Sequence, residues 1–110
     1  MQISLRRVDT ATIFDVTGDI DLANSPEIRK AMLREINENR APRVLMNLTG
    51  VRYIDSSGVA SLIEGLKASR DIGSRFILFG LGGPAREVLR LTRLLEVFEI
   101  RDNEESALSS

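Results

Sequence analysis

The chain opens with apolar positions that partly alternate with polar ones, Ile3, Leu5 and Val8 before Asp9-Thr10, then Thr12, Phe14 and Val16 after it. A period near two marks half-buried strands, so these segments predict an antiparallel hairpin that turns at Asp9-Thr10 and whose second strand is closed by Gly18. Asp19-Ile20-Asp21 leads into a loop ending at Ser25-Pro26. Ser as N-cap followed by Pro at the first helical position is a strong helix start, because the hydroxyl accepts an orphan amide and Pro has none to leave unpaired. From there Ile28, Met32 and Ile36 recur at every fourth position, with Ala31 and Leu33 widening the stripe. The helix is expected to stop near Asn39, since Pro42 pushes Ala41 out of the helical region.

The run Val44-Leu45-Met46-Asn47-Leu48 is almost continuously apolar, as in a strand covered on at least one face. Tyr53-Ile54-Asp55-Ser56-Ser57-Gly58 then turns into a helix carrying Val59, Leu62, Ile63 and Leu66, capped near Gly73. Phe76-Ile77-Leu78-Phe79 reads as the next strand, and Gly80, Gly82 and Gly83 as a turn before a helix begun by Pro84. In that helix Val88, Leu91 and Leu95 are expected to face the core, and Val97-Phe98-Glu99-Ile100 to form a last strand. The order predicts a single α/β domain over residues 1–110, with its core at about 2–101 and a tail, 102–110, carrying a short helix with a frayed end. The strands from 44–48 onward are joined by helices and are expected to be parallel, so the opening hairpin makes the sheet mixed.

Composition then narrows the chemistry. The 110 residues include no Cys, His or Trp, which excludes Ser-His-Asp and Cys-His nucleophiles, thiol redox pairs, disulfides and imidazole or thiolate zinc sites. Catalysis would have to run on carboxylates, hydroxyls, Arg, Lys30 and Lys67, so a binding or regulatory module is the simpler expectation. With 15 basic and 16 acidic side chains, the net charge of -1 gives no electrostatic footprint for direct nucleic-acid binding. No apolar run approaches the roughly 20 residues that span a bilayer, and Met1 to Asp9 reads as strand rather than leader. The expected location is the cytoplasm, with no membrane contact.

The sharpest local feature is Asp55-Ser56-Ser57-Gly58 at a strand-to-helix junction. Capping alone explains Asp and Ser there. The functional reading is that an exposed hydroxyl at a helix start is set to carry a phosphoryl group, which the amide donors and the helix dipole stabilise. Asp19 and Asp21 end another predicted strand, and with Asp55 they form a candidate acidic cluster around Ser56. A magnesium ion held by these acids is weighed below a solvated loop, and a phosphoaspartate receiver lacks its lysine, since Lys30 and Lys67 lie inside helices. Gly80-Leu81-Gly82-Gly83-Pro84 lacks the Lys and Ser/Thr of a phosphate loop. Arg86, Arg90 and Arg93 form a basic stripe, read as a solvated face.

Taken together, Val16-Thr17-Gly18-Asp19-Ile20-Asp21, Tyr53-Ile54-Asp55-Ser56-Ser57-Gly58 and the segment from Val88-Leu89-Arg90-Leu91-Thr92-Arg93-Leu94 through Phe98 resemble the STAS domain family, and within it the bacterial anti-sigma-factor antagonists. The resemblance runs from the hairpin to about residue 101. It implies a four- to five-stranded mixed β-sheet with helices mainly on one face, and no catalysis, cofactor or metal of its own. It also implies partner switching. The unmodified protein binds an anti-sigma factor of the serine-kinase type, whose own ATP then phosphorylates it, and a PP2C-like phosphatase resets it. Carried across, Ser56 is the phosphoacceptor, and Asp19, Asp21, Asp55, Ser57 and Gly58 belong to the partner-binding surface. Two departures stand out. Asp19 replaces the usual Glu of the family's Gly-Glu-Leu-Asp segment, and Val59-Ala60-Ser61-Leu62-Ile63-Glu64 resembles STAS subunits of ABC-type lipid transporters, where the domain braces an ATPase without being phosphorylated. That subunit role is the alternative expectation.

Overall fold

The computed structural model describes residues 1–110. Five strands, β1 (Gln2–Val8), β2 (Ala11–Ile20), β3 (Arg43–Ile54), β4 (Arg75–Phe79) and β5 (Glu99–Arg101), form one sheet in the order of the chain. β1 and β2 pair antiparallel, while β2, β3, β4 and β5 run parallel. The hairpin closes through Asp9, whose φ of 54° is a left-handed turn conformation that Asp tolerates. Parallel neighbours need long crossovers. These are α1 (Ser25–Asn37), α2 (Ser56–Asp71) and α3 (Gly83–Leu91), and α4 (Glu104–Leu108) follows the last strand.

Crossovers of one hand that step in one direction across a sheet lie on one face. That face holds the main core, where Phe14, Val16, Val44, Met46, Leu48, Phe76 and Leu78 meet Ile28, Met32 and Ile36 of α1, Leu62 and Leu66 of α2, and Leu89 of α3. The alternate positions Ala11, Ile13, Leu45, Ile77 and Phe79 point to the opposite face and pack against Ala107 of α4. Both faces of the central strands are therefore covered, which explains the nearly continuous apolar run at 44–48, interrupted only by Asn47.

Residues 102–110, expected as a tail, are a structural part of this second layer. Asn103 and Ser106 cap α4 reciprocally and Ala107 is fully buried. Arg6 of β1 binds Asp15 and reaches Glu104 at 2.6 Å, and Arg43 donates to the Leu108 carbonyl at 2.7 Å. The hydrogen bond from Arg6, with a further one from Asn47, holds the Asp15 carboxyl below its ordinary value despite partial desolvation. On the other face, the buried Glu35 of α1 accepts from Thr12 Oγ1 at 2.7 Å, Asn39 Nδ2 at 2.7 Å and Arg7 at 3.0 Å, tying the hairpin to the helix. Burial opposes ionisation of Glu35, but these donors outweigh it and lower its pKa from 4.5.

Several sequence expectations are corrected. Ser25 is not the cap of α1: Asn24 occupies that position without a side-chain cap, and Asp21 organises the start instead, its carbonyl accepting from Asn24 and Ser25 and its Oδ1 from Asn24 at 3.0 Å. β2 continues through Gly18, whose φ of +92° falls where the register with β3 slips, and ends at Ile20. β3 likewise runs on to Ile54, and β5 starts two residues later and ends one residue later than expected. Leu91 does not face the core. It is 67% exposed, because α3 buries Ala85 and Leu89 with Val88 half-buried, and the helix ends at Leu91 before Arg93 turns left-handed. Arg93 therefore lies outside the helical stripe with Arg86 and Arg90, and Arg90 pairs with Glu87.

Candidate functional site

The parallel strands all end at one edge of the sheet, where the loops into α1 and α2 lie side by side. The backbone of Asp55 donates to the Ile20 carbonyl at 3.2 Å, extending the β2–β3 ladder to its last residue. Asp55 is the N-cap of α2, and its side chain makes two bonds that join the loops. Oδ1 accepts from Gly58 N at 3.0 Å, three residues ahead in its own helix, and Oδ2 accepts from Leu22 N at 3.0 Å in the neighbouring loop. A cap oxygen aimed at the third amide of a helix is the expected local use of Asp. The second bond makes Asp55 a brace between two segments.

Gly58 is required by the same joint. A Cβ there would press on the Ile20 carbonyl oxygen, with Ile54 Cγ2 at 2.8 Å and Ile20 Cγ2 at 2.9 Å, so only glycine lets the first turn of α2 lie on the end of β2. One turn further, Ser61 Oγ lies 3.1 Å from the Ser57 carbonyl and 3.3 Å from the Ser25 carbonyl, linking α2 to the start of α1. Arg29 of α1 pairs with Glu64 of α2 on the outside of the same helix pair.

Ser56 is the first residue of α2 and is exposed, and Ser57 beside it is half-buried. A group attached to Ser56 Oγ would sit at the positive end of a 16-residue helix, next to amides that have no intrahelical partner. The nearby aspartates are placed separately. Asp19 lies in β2, opposite Tyr53, with Arg52 at 3.8 Å, while Asp21 turns the chain into α1 and Asp55 braces the two loops. No three acidic side chains gather closely enough to hold a metal ion. Asp19 at the end of β2 and Asp21 just beyond it, with Asp55, Ser56, Ser57 and Gly58 at the start of α2, thus fall on two adjoining segments that do not form a chelating cluster, and Gly58 among them is buried.

Three residues of this surface were not singled out by sequence reasoning. Leu22 is 73% exposed, Tyr53 is 50% exposed, and Arg52 is exposed beside Asp19. The one available signal was Leu22, an apolar side chain inside a loop of Asp, Asn and Ser with no periodic partner. Tyr53 stood in the segment Tyr53-Ile54-Asp55-Ser56-Ser57-Gly58 without a role of its own, and nothing marked Arg52.

A domain of this topology, with a capped serine at the start of the helix after its second parallel strand, belongs to a recognisable class. The model of the STAS domain family matches residues 2–107, and the chain belongs to that family. It is 30% identical over 105 residues to the anti-sigma-B factor antagonist of Listeria monocytogenes, covering 94% of this chain and 90% of that protein. Its fold is similar to the crystal structure of an anti-sigma factor antagonist from Mycobacterium paratuberculosis, with a TM-score of 0.88 at 20% identity over 98% of this chain and 91% of the other. It is also similar to the Bacillus cell fate determinant SpoIIAA in its phosphorylated form, with a TM-score of 0.76 at 20% identity over 98% and 97% of the two chains. The mixed five-stranded sheet with its main helices on one face is the STAS fold. No helix is long and apolar enough to cross a membrane.

Proposed function

We propose that this chain is an anti-sigma-factor antagonist that binds an anti-sigma factor of the serine-kinase type in the cytoplasm and is released when Ser56 is phosphorylated. The observation that carries the proposal is the exposed Ser56 hydroxyl at the start of α2, on a loop braced by Asp55. The name of the Listeria relative and the existence of a phosphorylated SpoIIAA structure support the reading. The chain performs no catalysis of its own.

In this mechanism Ser56 Oγ attacks the γ-phosphorus of ATP bound to the kinase, a base of the kinase takes the hydroxyl proton, and ADP leaves. The product adds roughly -1.5 to -2 charges beside Asp21 and Asp55. The kinase surface facing Ser56 holds the phosphates of its nucleotide, so the phosphoserine meets like charge in a closed interface and loses its hydration there. The fold needs no rearrangement, because the added group projects from an exposed position. A PP2C-like phosphatase returns the serine by hydrolysis.

The test uses the serine-kinase anti-sigma factors encoded in the source genome, purified and incubated with the protein, ATP and magnesium. Intact-mass and fragment analysis should show one phosphate on Ser56, and none on Ser56→Ala. No phosphate with any of these kinases, or a phosphate placed elsewhere, overturns the proposal.

A further inference from the structure

We propose that Leu22 and Tyr53 are the apolar anchors that seat the kinase partner around Ser56, and that the partner supplies an apolar pocket flanked by a basic side chain facing Asp21. The inference rests on the functional reading above and adds which side chains provide the binding energy.

Five large apolar residues are exposed, Leu5, Leu22, Tyr53, Leu91 and Val97. Two of them, Leu22 and Tyr53, lie close to the Ser56 loop. Tyr53 lies three residues before Ser56, so their Cα atoms are within about 11 Å at 3.8 Å per step. The Leu22 amide is bonded to the side chain of Asp55, the residue just before Ser56, which places the Leu22 Cα within roughly 12 Å of Ser56 by bond lengths alone. An ordinary interface of about 800 Å² a side is a disc of roughly 16 Å radius. One partner surface centred on Ser56 is therefore wide enough to reach both exposed residues.

The backbone beneath these side chains is already ordered. Leu22 is held by Asp55 Oδ2, and the turn that follows is fixed by the Asp21 carbonyl, which accepts from Ser25 N at 2.7 Å. Tyr53 lies in β3, in register with Asp19 of β2. Anchors on a fixed backbone pay little ordering entropy on binding, and Tyr is among the side chains most enriched in binding hot spots. Leu22 is left 73% exposed, so most of its apolar surface has no partner within this fold. Charge sets the partner's chemistry. Asp19 has Arg52 as its partner, whereas Asp21, adjacent to Leu22, has no cationic side chain paired with it. A complementary surface thus carries Arg or Lys at that rim, separate from the nucleotide site that meets Ser56.

The experiment measures the affinity of the unmodified protein for the serine-kinase anti-sigma factors of the source genome, with ADP and magnesium, by calorimetry. Leu22→Ala and Tyr53→Ala should each raise Kd about tenfold and the double variant at least about 30-fold, with unchanged melting temperatures. Leu91→Ala, equally exposed but on α3, should stay within about twofold. Wild-type binding with Leu22→Ala and Tyr53→Ala within about twofold overturns the anchors and leaves the functional reading standing. A wild-type protein that none of these kinases binds or phosphorylates overturns both.

Discussion

Replacing Gly58 by alanine tests whether the close joint between α2 and β2 is what positions Ser56. The new methyl group would meet the Ile20 carbonyl oxygen, with Ile54 Cγ2 at 2.8 Å and Ile20 Cγ2 at 2.9 Å. Two of these atoms are branched methyls in the core, and the carbonyl is engaged with Asp55 N at 3.2 Å, so relief requires backbone movement. Forcing a methyl into such a site, against a backbone oxygen and two core methyls, costs about 2 to 3 kcal/mol. Alanine returns about 1 kcal/mol through helix propensity, leaving a net loss of about 1 to 2 kcal/mol. For a domain of this size that corresponds to a drop in Tm of roughly 5 to 10 °C. Gly83→Ala supplies the contrast, because Gly83 is also in the first turn of a helix but a Cβ there meets nothing within 4 Å. It should be neutral or raise stability by up to about 1 kcal/mol. Thermal melts and urea titrations of the two variants measure the difference directly. If Gly58→Ala is as stable as the wild type, the close approach is not a constraint and the account of the joint is wrong.

Two further substitutions probe the core and its electrostatics. Leu89→Ala should cost about 2 to 5 kcal/mol in urea titrations, and Leu91→Ala less than about 0.5 kcal/mol, since the first side chain is fully buried and the second 67% exposed. Glu35→Gln should lower stability at pH 7 by about 1 to 3 kcal/mol, because a buried acceptor shared by Thr12, Asn39 and Arg7 is changed. Its pH dependence has a definite sign. The folded pKa of Glu35 is below 4.5, so its contribution is complete above that value and is lost as the pH falls through the lower folded value. Denaturation series from pH 7 to 3 should therefore fall less steeply for Glu35→Gln than for the wild type, and equal slopes would count against the assignment.

Local rules make much of this fold readable in the amino-acid sequence. The almost continuous run at 44–48 announced a strand covered on at least one face, which proves to be covered on both, and Ile28, Met32 and Ile36 announced the buried stripe of α1. Asp55 ahead of Ser56 announced a capped helix start. The misreadings arose where a tertiary partner took over a local role. Asp21, not Ser25, organises the start of α1, and the slip in register near Gly18 lets β2 and β3 run on past their apolar patterns. Leu91 fits a spacing of helical stripes, yet the helix ends there, so the pattern had no further turn to act through. The residues of the candidate site were named from the sequence, but its construction was not legible there. The bond from Leu22 to Asp55 spans 33 positions, and the need for glycine at 58 comes from a carbonyl on another strand. The same holds for α4, whose burial of Ala107 depends on a sheet face formed by distant strands.

The central claim is that one phosphate on Ser56 changes who binds this surface. The most direct measurement is the Kd of the unmodified and the stoichiometrically Ser56-phosphorylated protein for the same kinase-type anti-sigma factor, with ADP and magnesium. Moving the complex from mostly bound to mostly free requires about a 100-fold difference, or roughly 2.7 kcal/mol. The account predicts a loss of affinity of at least that size on phosphorylation, with the melting temperature little changed. Equal affinity of the two forms would contradict it.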